Sequence, residues 1–151
     1  SNLEKLHLTI KKLNLKIIDK SNYLKLSHKE GIPVTGIKNL QNNLFGLESN
    51  FEELNAIDFK KGCYIGQENT ARMKLKNKLR KRLLPIISNN SIKVSDEIKF
   101  NDQIVGKVLI GDRYPFALIK LFDPEFKIFS TQKLKIKEFN IQILNPSYFQ
   151  V

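Results

Sequence analysis

From residue 83 onward apolar residues alternate with polar ones in short runs, at 83–87, 98–100, 104–109, 116–121, 133–136 and 141–144. Turn signals lie between them at Asn89-Asn90, Asn101-Asp102, Gly111-Asp112 and Asp123-Pro124. Short strands at this spacing predict a small antiparallel barrel or sandwich. Asn101-Asp102, flanked by apolar runs, is the clearest hairpin turn. The first half reads differently. Leu6, Leu8 and Ile10, then Leu13, Leu15 and Ile17, lie on either side of Lys11-Lys12 and predict two strands joined by a short turn. A short helix follows, with Ser21 as N-cap, Tyr23 and Leu24 on its apolar side, and Gly31 with Pro33 as its stop. Residues 32–59 are rich in Asn, Gly and Ser and predict loops with a helical piece near 51–54. Residues 65–76 predict a helix with Glu68 in its opening turn, basic residues toward its end, and Asn77 to stop it in the left-handed conformation. The expected fold class is α+β, with one unit over 1–78 and a small antiparallel β-barrel over 79–151.

Composition narrows the chemistry. With 151 residues and 41% hydrophobic content the chain is long enough for a real core. Its single cysteine excludes an intrachain disulfide, and one cysteine with His7 and His28 cannot close a zinc site or ligate an iron–sulfur cluster. No metal is therefore expected on this chain alone, and His28 is expected at the surface of its short helix. The sequence shows no signal peptide and no long apolar span, so a reducing cytoplasm is the expected compartment and no membrane contact is expected. The net charge of +11 favours polyanions such as RNA. Arg72, Lys74, Lys76, Lys78, Arg80, Lys81 and Arg82 form the densest basic run and are the candidate nucleic-acid contacts. The competing explanation is a lysine bias across the whole chain with the run as a solvated face, and the composition favours it.

The densest chemical signal is KGCYIGQE at residues 61–68, which sets Cys63 between Gly62 and Gly66, beside Lys60 and Lys61, and ahead of the predicted helix. A thiol works as thiolate, and both a helix N-terminus and adjacent cations lower its pKa. The two glycines permit a sharp turn and close backbone approach. Against this stands the commoner fate of a lone cysteine, that of a small buried apolar residue.

This octapeptide resembles the KGCYxGQE signature of the YgfZ-type folate-binding proteins, relatives of the aminomethyltransferase (T-protein) of the glycine cleavage system. The resemblance continues in register: EGIPV at 30–34 is similar to the family's GIP turn, LESNF at 47–51 to its PLExxL segment, Ala71-Arg72 to the AR of GQExxAR, and 80–83 to the KRxL that opens a C-terminal barrel. There are departures. Ser27 stands where an arginine is usual, Gly46 where proline is usual, and Asn77 where glycine is common. Loss of the arginine removes a charge and a fork of donors that Ser27 cannot replace.

The resemblance implies a tetrahydrofolate-type cofactor and a role in the assembly or repair of iron–sulfur enzymes, with Cys63 as the functional thiol. It begins only in the family's second half, so the chain is expected to lack most of the N-terminal part of the folate-binding domain. Aminomethyl transfer is disfavoured, because the acidic residue associated with it lies in that part. Glu48 is the carboxylate implied for the pterin, and Arg72 the candidate anchor for a carboxylate of the glutamyl tail, with a salt bridge to Glu68 as the equal alternative. Tyr64 and Gln67 line the pocket or brace the loop, with bracing favoured for Gln67 and Glu68. Implied partners are iron–sulfur enzymes or assembly factors and, for the RNA alternative, tRNA. A homodimer in which two copies complete one pocket is also open.

Overall fold

The computed structural model describes residues 2–62, 65–75, 79–120 and 134–148. Its fold is α+β. Three α-helices, α1 (Asn2–Lys12), α2 (Lys20–Lys29) and α3 (Gln67–Leu75), and a 3-10 turn at Ile37–Leu40 precede six strands. These are β1 (Lys81–Ile87), β2 (Glu97–Phe100), β3 (Gln103–Ile110), β4 (Phe116–Lys120), β5 (Leu134–Ile136) and β6 (Phe139–Ile143). The strands close a barrel in the order β1-β4-β3-β2-β5-β6, and every pairing is antiparallel.

Alternation produces the barrel interior. Inward residues such as Leu84, Ile98, Val105, Ala117, Ile119 and Ile136 are wholly buried in one core. The hairpin expected at Asn101-Asp102 joins β2 to β3, and both residues have positive φ, +46° and +62°. Those are the left-handed values that a two-residue turn matching the strand twist requires, and Asn and Asp tolerate them.

β1 departs from alternation, since residues 83–86 are all buried. Leu84 and Ile86 face the interior, whereas Leu83 joins Leu109, Ile110 and Phe116 in a second cluster outside the barrel, covered by Leu40 and Leu44. The loop-rich first half thus roofs one outer face of the sheet.

Several expectations for the N-terminal unit fail. The strand pair expected over 6–17 is instead α1, with residues 15–19 extended after it. Leu3, Leu6, Ile10 and Leu13 have helical spacing as well as lying among alternating residues. No strand of the barrel pairs with this stretch, so local i to i+4 hydrogen bonds are what satisfy its backbone. The helical piece expected near 51–54 is a run of overlapping turns rather than a helix, with the Leu54 N–H on the Asn50 carbonyl (3.0 Å) and the Asn55 N–H on the Glu52 carbonyl (3.0 Å). α2 forms as expected, but its N-cap is Asp19 rather than Ser21; the carboxylate accepts the Ser21 N–H at 2.7 Å, and hydrogen bonding from the Ser21 side chain and then its backbone lowers the Asp19 pKa from its ordinary value.

His28 is buried rather than exposed. Its Nε2–H donates to the Pro115 carbonyl at 2.9 Å, and its ring meets Phe116 edge-on and Tyr114 at a tilt. Tyr114 and Pro115 lie in the β3–β4 connection and Phe116 opens β4, far along the chain, and together they fasten α2 to the barrel. Burial pulls the imidazole pKa below its ordinary value, against the opposing pull of the Pro115 carbonyl.

Candidate functional site

The segment matching LESNF is built into the seam of the barrel. β1 pairs with β6 only through Ile86 and Ile87, which leaves the outer backbone edge of Leu83 without a strand. The Glu48 carbonyl accepts the Leu83 N–H at 2.7 Å, and the Asn50 side-chain amide donates to the Leu83 carbonyl at 2.8 Å. Together they satisfy both polar groups of Leu83, as a paired strand would. The Glu48 carboxylate turns back on its own loop and accepts the Phe45 N–H at 2.9 Å.

Asn50 is fully buried and left-handed, with φ +62°. Its Oδ1 accepts from Arg82 Nη1 at 3.2 Å, and its amide also meets the Tyr148 hydroxyl at 3.5 Å. Arg82 donates as well to the Leu47 carbonyl at 3.3 Å and forms an ion pair with Glu53. Burial pushes the Tyr148 phenol up to about 12. The strand-opening Arg82 therefore points into the junction between the 47–53 loop and the barrel. In the sequence Arg82 reads as a member of the basic run, a candidate nucleic-acid contact or part of a solvated face, and Asn50 carries no signal of a role.

A cleft of about 300 Å³ opens beside this junction, lined by Leu47, Glu52, Glu53, Met73, Lys74, Leu79 and Arg82. It brings α3 against the 47–53 loop. Lys74 pairs with Glu52 and lies over the Phe59 ring, 5.4 Å from its centroid. One Glu53 carboxylate oxygen is buried without a hydrogen-bond partner among the described residues.

The helix expected after the cysteine segment forms as α3, with Glu68 in its first turn. Arg72 bonds Glu68 at 3.2 Å, and both side chains are mostly exposed. Such a surface pair contributes about 0–1 kcal/mol and is easily opened. Gly66 has φ +88°, so the turn before α3 requires the conformational freedom of glycine. Gly62 and Gly66 both stand in open space, and Ile65 between them is fully exposed. Cys63 and Tyr64 lie outside the described residues, as do Lys76 and Lys78 of the basic run.

The candidate residues do not gather at one point. The cleft is lined by none of Glu48, Gln67 and Arg72, so among the described residues the implied folate-binding set has no shared cavity of its own there. Within the basic run Arg72, Lys74 and Arg82 are each engaged by a glutamate, while Arg80 and Lys81 are exposed. Among the described residues no cluster of three or more His, Cys, Asp or Glu side chains could hold a metal ion, and no helix is long and apolar enough to cross a membrane.

No family model matches the chain. The chain is similar to proteins named as mitochondrial iron-sulfur cluster assembly factors. It is 43% identical over 81 residues to the IBA57 homolog of Dictyostelium discoideum, a stretch covering 50% of this chain and 19% of that protein. It is 44% identical over 69 residues to IBA57 of Mus musculus, covering 45% of this chain and 19% of the relative. With IBA57 of Homo sapiens the identity is 41% over 66 residues, covering 43% and 18%. The matched stretch spans about a fifth of the length of these relatives.

Proposed function

We propose that this chain is part of an accessory protein for the assembly or repair of iron–sulfur enzymes, in which Cys63 is the working thiol. The observation that carries this reading is the similarity to the Dictyostelium discoideum, mouse and human assembly factors. The KGCYIGQE sequence supplies the chemistry to look for. A thiol next to two lysines and just before a helix has the surroundings that favour thiolate, and a thiolate can form a mixed disulfide or carry a persulfide. A reducing compartment suits such a thiol; the related proteins are named as mitochondrial, and cytoplasm was the expectation from the sequence.

Folate dependence is part of the same proposal. Because Glu48 and Arg72 do not share the described cleft, the cofactor would be held jointly with a further surface, from a longer chain or from a second copy. In that arrangement the remaining Glu48 oxygen accepts ring N–H donors, and Arg72 exchanges Glu68 for a tail carboxylate.

The test is a chimera in which the matched stretch of the Dictyostelium discoideum relative is replaced by the corresponding residues of this chain, expressed in cells depleted of that relative. Restored iron–sulfur enzyme activity with the chimera, lost on Cys63→Ala, is the expected result. Full restoration by the Cys63→Ala chimera would remove the thiol from the proposal, and no restoration by the unaltered chimera would remove the role. Calorimetric titration with a stable reduced folate, alongside Glu48→Ala, tests the cofactor separately.

A further inference from the structure

The outer surface of the barrel carries lysines in a placement that costs stability. Lys81 of β1 is directly opposite Lys120 of β4, and Lys99 of β2 is directly opposite Lys135 of β5. Like charges facing each other across an antiparallel pair repel. All four are exposed. Among the described residues none of them is in an ion pair.

The two pairs belong to one belt. Lys99 is also opposite Ile104 of β3, an exposed apolar residue. Lys120 directly follows Ile119, the partner of Gly106, and so sits at the Ile104 end of β3. The belt therefore runs Lys135, Lys99, Ile104, Lys120, Lys81 across β5, β2, β3, β4 and β1, which are consecutive neighbours in the barrel. At about 4.8 Å between strands it is roughly 19 Å long, and it curves with the closed sheet. Exposed Arg80 extends it by one residue at the β1 end. Glu97 is opposite Lys107, two pairs farther along the same strands, while Asp102 and Glu138 occupy the β2–β3 and β5–β6 turns; these are the acidic groups nearest the belt among the described residues of its own hairpins.

We propose that this belt binds a single-stranded polynucleotide, whose sugar–phosphate backbone follows the lysines around the barrel while Ile104 offers an apolar contact to a base. The anion must carry charges in series, because the two lysine pairs are separated by a strand. It must also bend, because the belt is curved; a duplex is stiff and would reach one pair at a time. The basic run at 72–82 is a weaker candidate, since Glu68, Glu52 and Glu53 already engage Arg72, Lys74 and Arg82.

Fluorescence anisotropy with a labelled mixed-sequence 12-mer tests this, as single-stranded RNA, single-stranded DNA and RNA duplex, with polyglutamate as competitor. Four neutralised phosphates predict a slope of log K against log salt of about −2.8, and Lys99→Gln with Lys135→Gln should reduce it to about −1.4. Affinity should fall at least tenfold in that double variant and again in Lys81→Gln with Lys120→Gln. The charge-matched control Lys11→Gln with Lys12→Gln, in α1, should change it less than twofold. The variants remove repulsion, so their thermal midpoints should equal or exceed that of the parent. No binding at low salt, an equal loss in the α1 control, tighter binding of duplex, or preferential displacement by polyglutamate would each overturn the proposal. Equal binding of RNA and DNA supports backbone recognition, and a preference for RNA adds contact with the 2′-hydroxyl.

Discussion

Replacing Asn50 with alanine should open the barrel seam. Three effects add. The Leu83 carbonyl loses the 2.8 Å amide bond that satisfies it, in a setting where Asn50 is wholly buried; a buried carbonyl left without a partner costs about 1–3 kcal/mol. Arg82 loses the Asn50 oxygen but keeps Glu53 and the Leu47 carbonyl, a smaller loss of about 1 kcal/mol. Position 50 has φ +62°, where alanine pays about 1 kcal/mol that asparagine largely avoids. The sum is about 3–5 kcal/mol, which for a chain of this length corresponds to roughly 10 °C in thermal midpoint. Urea titration followed by circular dichroism measures it. Asn50→Gly separates the parts, because glycine removes the side-chain bonds but not the backbone tolerance, and should recover about 1 kcal/mol relative to alanine. A loss below about 1 kcal/mol for alanine, or wild-type stability for glycine, would show that the side chain does not hold the seam.

Further outcomes follow from other contacts. His28 is kept neutral by burial, so the unfolded chain binds a proton more readily than the folded one; stability should be level above the ordinary histidine pKa near 6.5 and fall as pH drops below it toward the lowered folded value, and His28→Leu should flatten that slope in urea midpoints between pH 5 and 7.5. Gly31→Ala should destabilise by about 2 kcal/mol or more, because a Cβ there meets the Tyr148 hydroxyl at 2.5 Å on a backbone with φ +67°; no shift in thermal midpoint would refute the close approach. Lys81→Gln and Lys99→Gln should each raise stability by about 0.2–1 kcal/mol by relieving cross-strand repulsion, and a loss would show that the lysines are locally paired.

Most of the barrel was legible because its strands depend on a local period. The alternating runs fall within two residues of β1 to β6, and the Asn101-Asp102 hairpin is dictated by residues that accept positive φ. The failures share a cause in partners that no local window contains. Leu3 to Leu13 fits either period, and what decides for α1 is that the barrel offers this stretch no edge to pair with. His28 reads as a surface residue until Tyr114, in the β3–β4 connection, and Phe116, at the start of β4, are brought to it. Arg82 stands among six other cations in sequence, yet Asn50, Glu53 and the Leu47 carbonyl draw it inward.

The same comparison redistributes the positive charge. Read along the chain, the basic run at 72–82 is the densest; read across the sheet, three of its members are engaged by glutamates, and Lys81, Lys99, Lys120 and Lys135, distant from one another in sequence apart from Lys81 within the run, face each other in pairs with no ion-pair partner among the described residues. Strand pairing, rather than sequence density, brings these together. Like-charged residues directly opposite each other lower stability in the free protein, so the belt is most readily understood as a surface whose repulsion is relieved by an anion. The thiol segment places a different demand on the chain: Gly62, Ile65 and Gly66 stand open to solvent and are available to a protein partner. Under the two proposals a polynucleotide on the barrel and a client enzyme at the thiol segment would occupy different surfaces, and the salt dependence of the first should be insensitive to Cys63→Ala.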